Sequence, residues 1–304
     1  MQIRAKNIVK IFNKKLPTEL KALNNVSVEI KENEFIAIIG QTGSGKTTFI
    51  EHMNVLLTPD EGEVEFVYKA KDPKTQEVEV IKNIIQKPKS FQKKLKFIKE
   101  IRRRVGVVFQ FAEYQLFEQT IEKDIIFGAV SMGTPKAEAK ERAKEIIKLV
   151  GLDESYLPKS PFNLSGGQKR RVAIAGILAM EPDIIFFDEP TAGLDPAGTD
   201  DMLLILNNLY ESGKTIILAT HDLDNVLKWT KRTIVFKNGE IVKDGDTFSI
   251  LSDNQFLKDN QMMPTNLLYF VEKLRKRGLD IQDVSSLEEL AEAINLELKG
   301  KHAN

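Results

Sequence analysis

The stretch GQTGSGKTT, residues 40–48, fits the pattern G-x-x-x-x-G-K-[ST] through Gly40, Gly45, Lys46 and Thr47. Glycines at this spacing let the backbone turn so that successive N–H groups face a phosphate at a helix N-terminus. Gly40, Gln41, Thr42, Gly43, Ser44, Gly45, Lys46, Thr47 and Thr48 are therefore expected to cradle a nucleoside triphosphate. Lys46 would add positive charge between the β- and γ-phosphates, and the Thr47 hydroxyl would ligate Mg²⁺. The context supports this chemistry, because the motif follows a strand-like apolar run and precedes FIEHMNVLL, a helical pattern.

A second segment, NLSGGQKRRVAIAGILAMEPDIIFFDEPTAGLDP at residues 163–196, carries two further devices. Asp188 ends an apolar strand, where its carboxylate can hold the Mg²⁺ shell, typically through water. Glu189 follows directly and can orient or deprotonate an attacking water. Earlier in the segment, Ser165, Gly166, Gly167 and Gln168 open a helix. Ser165 can cap it, the glycines permit close backbone approach to an anion, and the helix dipole adds partial positive charge. One chain thus holds two anion-binding devices. The economical explanation is a second subunit packed head-to-tail, with each nucleotide between one phosphate loop and the opposite LSGGQ. Of the three histidines, His221 lies at the C-terminal end of a predicted strand, where α/β sheets bind ligands, whereas His52 and His302 are not expected to be catalytic.

The elements that must position these residues follow from apolar patterning. EFIAIIG (34–40), IIFFDEP (184–190) and TIILATH (215–221) read as buried strands with helical stretches between them, which predicts a mostly parallel sheet covered by helices. RTIVFKNGEIVKDG predicts a hairpin around Asn238-Gly239. In TPKAEAKERAKEIIKLVGL, Thr134 reads as an N-cap, Pro135 as the first helical residue and Gly151 as the stop, so residues 112–165 form a helical insert. The lysine-rich stretch 69–104 reads as a solvated extended hairpin or loop. After residue 246 the pattern becomes amphipathic and helical, with an apolar face that packs at home or on a partner.

Composition narrows the function classes. At 304 residues, 42% hydrophobic and 29% charged, the chain can bury a substantial core. Lys+Arg and Asp+Glu both number 44, which argues against a non-specific nucleic-acid binder. There is no cysteine, so disulfides and thiolate metal sites are excluded, in keeping with a reducing compartment. The start shows no signal-peptide pattern and no apolar run reaches the length of a membrane span, so a soluble chain with any membrane role exerted through a partner is expected. A guanine-reading N-K-x-D element is missing after the phosphate loop.

The order of phosphate loop, VVFQ, LSGGQ, FFDEP, GLD and ATHD resembles the ATP-binding cassette (ABC) ATPases over roughly residues 1–245. The resemblance implies an α/β fold of the P-loop NTPase type: a RecA-like core, an antiparallel β subdomain and a helical subdomain at about 112–165. Residues 246–304 would add a C-terminal helical extension used in dimerisation. It also implies that Gln110 senses Mg²⁺ and the γ-phosphate, that His221 is the switch histidine and that Asp195 speaks across the dimer. Phe12 is the best match for the aromatic that stacks on adenine, and ATP with Mg²⁺ would be the bound pair.

Within that family, GVVFQFAEYQLFEQTIEKDIIFG and residues 160–196 resemble the second-type ATP-binding subunits of energy-coupling factor (ECF) transporters. The resemblance implies a head-to-tail heterodimer with a homologous first-type ATPase, on the cytoplasmic face of a bacterial cell membrane. An ECF transmembrane coupling protein would dock on it, with a substrate-binding membrane subunit engaged indirectly, and no nucleic acid is expected. Phe109, Phe111, Tyr114, Leu116 and Phe117 would form an apolar patch beside Gln110 for a coupling helix. The rival readings are the ATPase of another ABC importer or exporter, and a soluble ABC ATPase acting on nucleic acid. Ala112 departs from the family's usual proline, and the stretch 69–104 is longer and more basic than the family leads one to expect.

Overall fold

The computed structural model describes residues 1–71, 75, 77–87 and 97–302. The chain opens with β1 (Gln2–Phe12) and β2 (Leu20–Ile30), then β3 (Phe35–Ile39) feeds the phosphate loop and α1 (Lys46–Met53). β4 (Glu61–Lys71), β5 (Val78–Gln86) and α2 (Ile98–Arg104) lead to β6 (Val105–Val108). α3 (Ile121–Met132), α4 (Lys136–Leu149) and α5 (Gly166–Leu178) follow, and then β7 (Ile184–Asp188), α6 (Pro196–Glu211), β8 (Thr215–Ala219) and α7 (Leu223–Trp229). β9 (Arg232–Lys237) and β10 (Glu240–Asp246) precede α8 (Thr247–Leu251), α9 (Asn254–Asp259), α10 (Asn266–Lys276) and α11 (Leu287–His302).

Two sheets result. One is antiparallel in the order β2-β1-β4-β5; the other runs β10-β9-β3-β8-β7-β6 and is parallel throughout except for the β9–β10 hairpin. Why the central strands lack polar alternation is visible in their packing. Along β7, Ile184 and Phe186 face the core shared with the antiparallel sheet, whereas Ile185 and Phe187 face the core under the helices. β8 alternates in the same way, with Ile217 on the first side and Ile216 and Leu218 on the second. Both faces are covered, so β7 is apolar until the chain leaves the sheet at Asp188, and β8 is apolar after its first residue, the buried Thr215. β3 also contributes Ala37 and Ile39 to a third cluster, built with α7 to α10. The C-terminal helices therefore pack at home through Leu267, Leu268 and Val271, while Tyr269 and Phe270 on the same α10 stay exposed.

α3 and α4 lie within residues 112–165, and α3 packs on α5, whose N-terminus carries the glycines of LSGGQ. One boundary differs. Pro135 is itself the cap residue of α4, in extended geometry, and the helix begins at Lys136 rather than at Pro135 after a Thr134 cap. With ψ at 136°, Pro135 stays outside the helical region, and its carbonyl accepts the first helical bond, from the Ala139 N–H at 2.9 Å. Gly151 ends the helix in the left-handed region, as read. Of the stretch 69–104, the described residues form the end of β4, β5 and α2, so an extended hairpin is present but closes into a helix. Residues 72–74, 76 and 88–96 lie outside the described residues.

The two sheets meet at the Asn238-Gly239 turn. Both residues have positive φ, 51° and 80°, the geometry of a tight hairpin. The Gly239 N–H donates to the Ser44 carbonyl at 2.9 Å, and its own carbonyl accepts from Asn24 N–H at 2.8 Å. A Cβ at Gly239 would stand 2.8 Å from the Ala22 carbonyl oxygen. Gly239→Ala should therefore destabilise the chain by about 2–4 kcal/mol, from left-handed strain plus a backbone clash. Denaturant unfolding would measure this, and a loss under about 1 kcal/mol would contradict the account.

Candidate active site

The phosphate loop leaves β3 and enters α1, whose first residue is Lys46. The Lys46 Nζ is nearly buried and donates to the loop's own carbonyls, 2.7 Å to Gly40 and 3.1 Å to Gln41. Burial pushes its ammonium below the usual lysine range, while the charges of Glu189 and Asp188 push it back up. Thr47 donates its hydroxyl to Asp188 Oδ2 at 2.7 Å. Burial raises the Asp188 carboxyl, the Thr47 bond lowers it, and the neighbouring Glu189 adds to the rise.

Glu189 leaves the sheet through a backbone in the left-handed region, φ 49°, after its N–H donates to the Ala219 carbonyl at 2.9 Å. A non-glycine residue there carries strain of about 1–2 kcal/mol, a cost found where side-chain aim matters. That aim brings Glu189 Oε1 to 2.9 Å from His221 Nδ1, with the Thr220 hydroxyl donating to Oε2 at 3.3 Å. The His221 side chain is 80% exposed and Glu189 only 14%. The pair read from two distant strand ends is thus in contact.

These residues converge on a cavity of about 430 Å³ lined by Phe12, Thr42, Gly43, Gly45, Lys46, Thr47, Thr48, Gln110, Asp188 and Glu189. Phe12 stands at its far end with Leu20, its partner across the β1–β2 ladder. Gly40, Gln41 and His221 instead line an adjoining cavity of about 360 Å³ with residues 261–266. Its floor is tied to the phosphate loop by the Gln41 side-chain amide, which donates to the Gln261 carbonyl at 3.1 Å. Ser165, Gly166, Gly167, Gln168 and Asp195 line neither cavity. Ser165 and Gln168 complete a reciprocal capping box on α5, with bonds of 3.3 and 3.1 Å. Asp195 caps α6, accepting from Gly198 N–H at 2.7 Å.

Several contributors escaped sequence reasoning. Leu20, Lys21, Ala22, Asn238 and Gly239 line the first cavity. The Asn-Gly pair was legible as a turn, but not as a wall of this cavity. Arg170 was not among the residues singled out from the sequence. Its guanidinium bonds to Glu113 and to the carbonyls of Pro190 and Ala192. The aromatic patch also divides: Phe111, Tyr114 and Phe117 are exposed, whereas Phe109 and Leu116 turn inward against the two cores. Phe117 stacks edge-on against Phe127, which joins the surface patch in their place.

The site suits a nucleotide with Mg²⁺. Among the described residues no cluster of three or more His, Cys, Asp or Glu could hold a metal alone. The Thr47 hydroxyl and Asp188 carboxylate are oxygen donors only, the set Mg²⁺ takes when phosphates and water complete its shell.

The ABC transporter family model matches residues 23–192. The chain belongs to that family. The cassette is 71% identical over 296 residues to the energy-coupling factor transporter ATP-binding protein EcfA2 of Mesomycoplasma hyopneumoniae (strain 7448), covering 97% of each chain. The EcfA2 protein of Clostridium perfringens (strain 13 / Type A) is 42% identical over 297 residues, again covering 97% of each. Among solved structures, cbiO1 of Clostridium perfringens, part of the ABC transporter complex cbiONQ, superimposes with a TM-score of 0.67 at 32% identity over 89% of this chain and 98% of that one. A dimeric post-hydrolysis state of the ATP-binding cassette MJ0796, bound to ADP and Pi, gives 0.65 at 31% identity over 81% and 98%. The fold is that of the ABC ATPases, with the antiparallel sheet and the helical insert set beside a phosphate-loop core.

The buried carboxylate predicts a trade of stability for function. Asp188 is raised by burial, so its charge is a cost to the folded state above its folded pKa and is relieved as the pH falls through it. Asp188→Asn keeps an acceptor for Thr47 while removing that charge. At neutral pH the variant should be more stable by on the order of 1 kcal/mol, with ATP hydrolysis lost. The stability gain should shrink as the pH falls and wild-type Asp188 takes up its proton. Chemical denaturation over a pH series from 7 downward would decide, and a variant less stable than wild type at pH 7 would contradict the account.

Proposed function

We propose that this cassette is the second-type ATP-binding subunit of an energy-coupling factor transporter, hydrolysing ATP to drive uptake of vitamins or other micronutrients through separate membrane subunits. The observation that carries the reading is the incompleteness of the site within one chain. A Cβ at Gly166 would meet nothing within 4 Å, and one at Gly167 would meet only Leu194 Cδ2 at 3.9 Å. Neither has the positive φ that would call for glycine. Nothing among the described residues requires either glycine, which supports a requirement from outside: a phosphate and a facing backbone, approached closely. LSGGQ lies away from the cavity holding Lys46, so that phosphate belongs to a nucleotide seated on another cassette.

ATP would lie with its base at Phe12 and Leu20 and its phosphates over Lys46, between this chain and a homologous first-type ATPase packed head-to-tail. Mg²⁺ held by Thr47 and Asp188, with Gln110 at the same cavity, would neutralise developing phosphate charge. Glu189 would accept the proton of the attacking water, and His221, held by Glu189, would contact the γ-phosphate. Ser165, Gly166, Gly167, Gln168 and Asp195 act on the partner's nucleotide. Phe111, Tyr114, Phe117 and Phe127 supply an exposed apolar patch next to Gln110, suited to a helix from a transmembrane coupling protein. No described helix is long and apolar enough to cross a membrane, so a place at the cytoplasmic face rests on those partners. Kinship with EcfA2 proteins over 97% of the chain, C-terminal helices included, favours this subunit over those of other ABC importers and exporters.

Glu189→Gln should lower kcat by about 10²-fold or more with ATP binding retained. An ATPase rate within a few-fold of wild type would refute the role given to Glu189. Pull-down of tagged protein from solubilised host membranes should bring a second cassette, one shared transmembrane protein and small hydrophobic binders. A dedicated permease pair would point to another transporter class, and recovery with nucleic acid alone would overturn the transport reading.

A further inference from the structure

Arg170 lies in the first turns of α5, two residues beyond LSGGQ, and is 3% exposed. A guanidinium at that depth must find acceptors for its fork of donors. It finds four, on two loops. Nε and Nη2 straddle the Glu113 carboxylate at 2.9 and 2.7 Å, and Nη1 donates to the carbonyls of Pro190 and Ala192 at 2.8 Å each. Glu113 sits in the short turn, residues 112–115, that follows Gln110. Pro190 and Ala192 follow Glu189, whose carbonyl accepts from the Ala192 N–H at 3.2 Å. The planar fork therefore binds the signature helix, the Gln110 loop and the Glu189 loop into one unit. Burial pushes the Glu113 carboxyl up, but its bond to Arg170 prevails and holds it below the usual range, so the pair stays charged. Arg170 lines neither cavity.

We propose that Arg170 is a positioning residue for hydrolysis: with Glu113 it holds the Glu189 and Gln110 loops in register with the helix that a second cassette engages. Displacement of α5 is then delivered to both loops at once, because the clamp joins them by rigid bidentate geometry rather than through a flexible chain. The inference rests on reading Glu189 as the base for water, so the test keeps the two apart. Lysine preserves the charge of Arg170 but has no fork and cannot hold both loops.

The full-length protein, with any partner subunits that co-purify, would be compared as wild type, R170K, E113Q, the double variant and E189Q at a temperature well below each melting point. R170K should lower kcat by about 10-fold or more, with KM for ATP within about 3-fold, since Lys46 and the phosphate loop are untouched. E113Q, which leaves the carbonyl contacts of Arg170 in place, should lower kcat in the same sense. The double variant should be no slower than R170K, as expected for two ends of one clamp. R170K or E113Q with kcat within 2-fold of wild type overturns the proposal. So does a rise in KM that accounts for the whole loss, or full additivity in the double variant. Activity in E189Q refutes the base and is read independently of the clamp.

Discussion

A 2.7 Å hydrogen bond from the Thr47 hydroxyl to Asp188 joins the start of α1 to the end of β7, two elements attached to strands that are not neighbours. β8 lies between β3 and β7, so the bond spans a strand, and the crevice it closes is where the ends of parallel strands expose their ligand-binding edge. Everything else in the site is measured from that junction. Lys46 precedes Thr47 and is pinned to the loop carbonyls; Glu189 follows Asp188 and is pinned to Ala219 at the end of β8. The register of β7 against β8, with Asp188 opposite Ala219, is what brings His221 within reach of Glu189.

The junction holds charge in a poorly solvated place, and the molecule stays poised for a ligand because of it. Lys46 is pushed toward its neutral form and Asp188 toward its protonated form, so each resists its own charge until an anion and a cation arrive to compensate. The left-handed backbone of Glu189 adds a conformational strain that only a well-anchored sheet can maintain. Three cores supply the anchoring: one between the sheets, one beneath the helical insert, one under the C-terminal helices. The segment between α9 and α10 reaches the phosphate loop directly through Gln261 and Gln41, so the extension frames the adjoining cavity.

A second feature organises the outward-looking half of the molecule. LSGGQ and Asp195 have their local roles as caps, yet those roles leave the glycines unexplained. Local capping sets the direction of α5 and α6, and the clamp at Arg170 relates α5 to the loops of the cavity. Arg170 and Glu113 thus join α5, with the LSGGQ turn at its start, to the turn that carries the exposed Phe111 and Tyr114.

Much of this was legible in the residues. Gly40 to Thr48, Asp188, Glu189, Gln110 and Phe12 were named from spacing and resemblance, and the structure gathers ten of the residues so named around one cavity. Short-range chemistry writes itself into adjacent positions: a glycine turn, a capping serine, a strand whose last residue is acidic. What stayed hidden depends on which side of a turn faces inward. Phe109 and Leu116 looked like surface partners of Phe111 and Tyr114, but they are partly buried against the two cores on either side of the left-handed residue Phe111. Thr134 had the chemistry of a cap, but Pro135 takes a non-helical ψ of 136° and the helix starts one residue later.

By itself, then, the sequence determined the phosphate loop, the acidic strand end, the capped signature helix and the kinship of the whole chain, because each depends on residues within a few positions of one another. Only the tertiary structure decided that Arg170 meets Glu113 across 57 residues, that Asn238-Gly239 walls the cavity, and that Gln41 is tied to the C-terminal helices. Those pairings arise from strand order and layer packing, where many residues vote together, and no local pattern records the outcome.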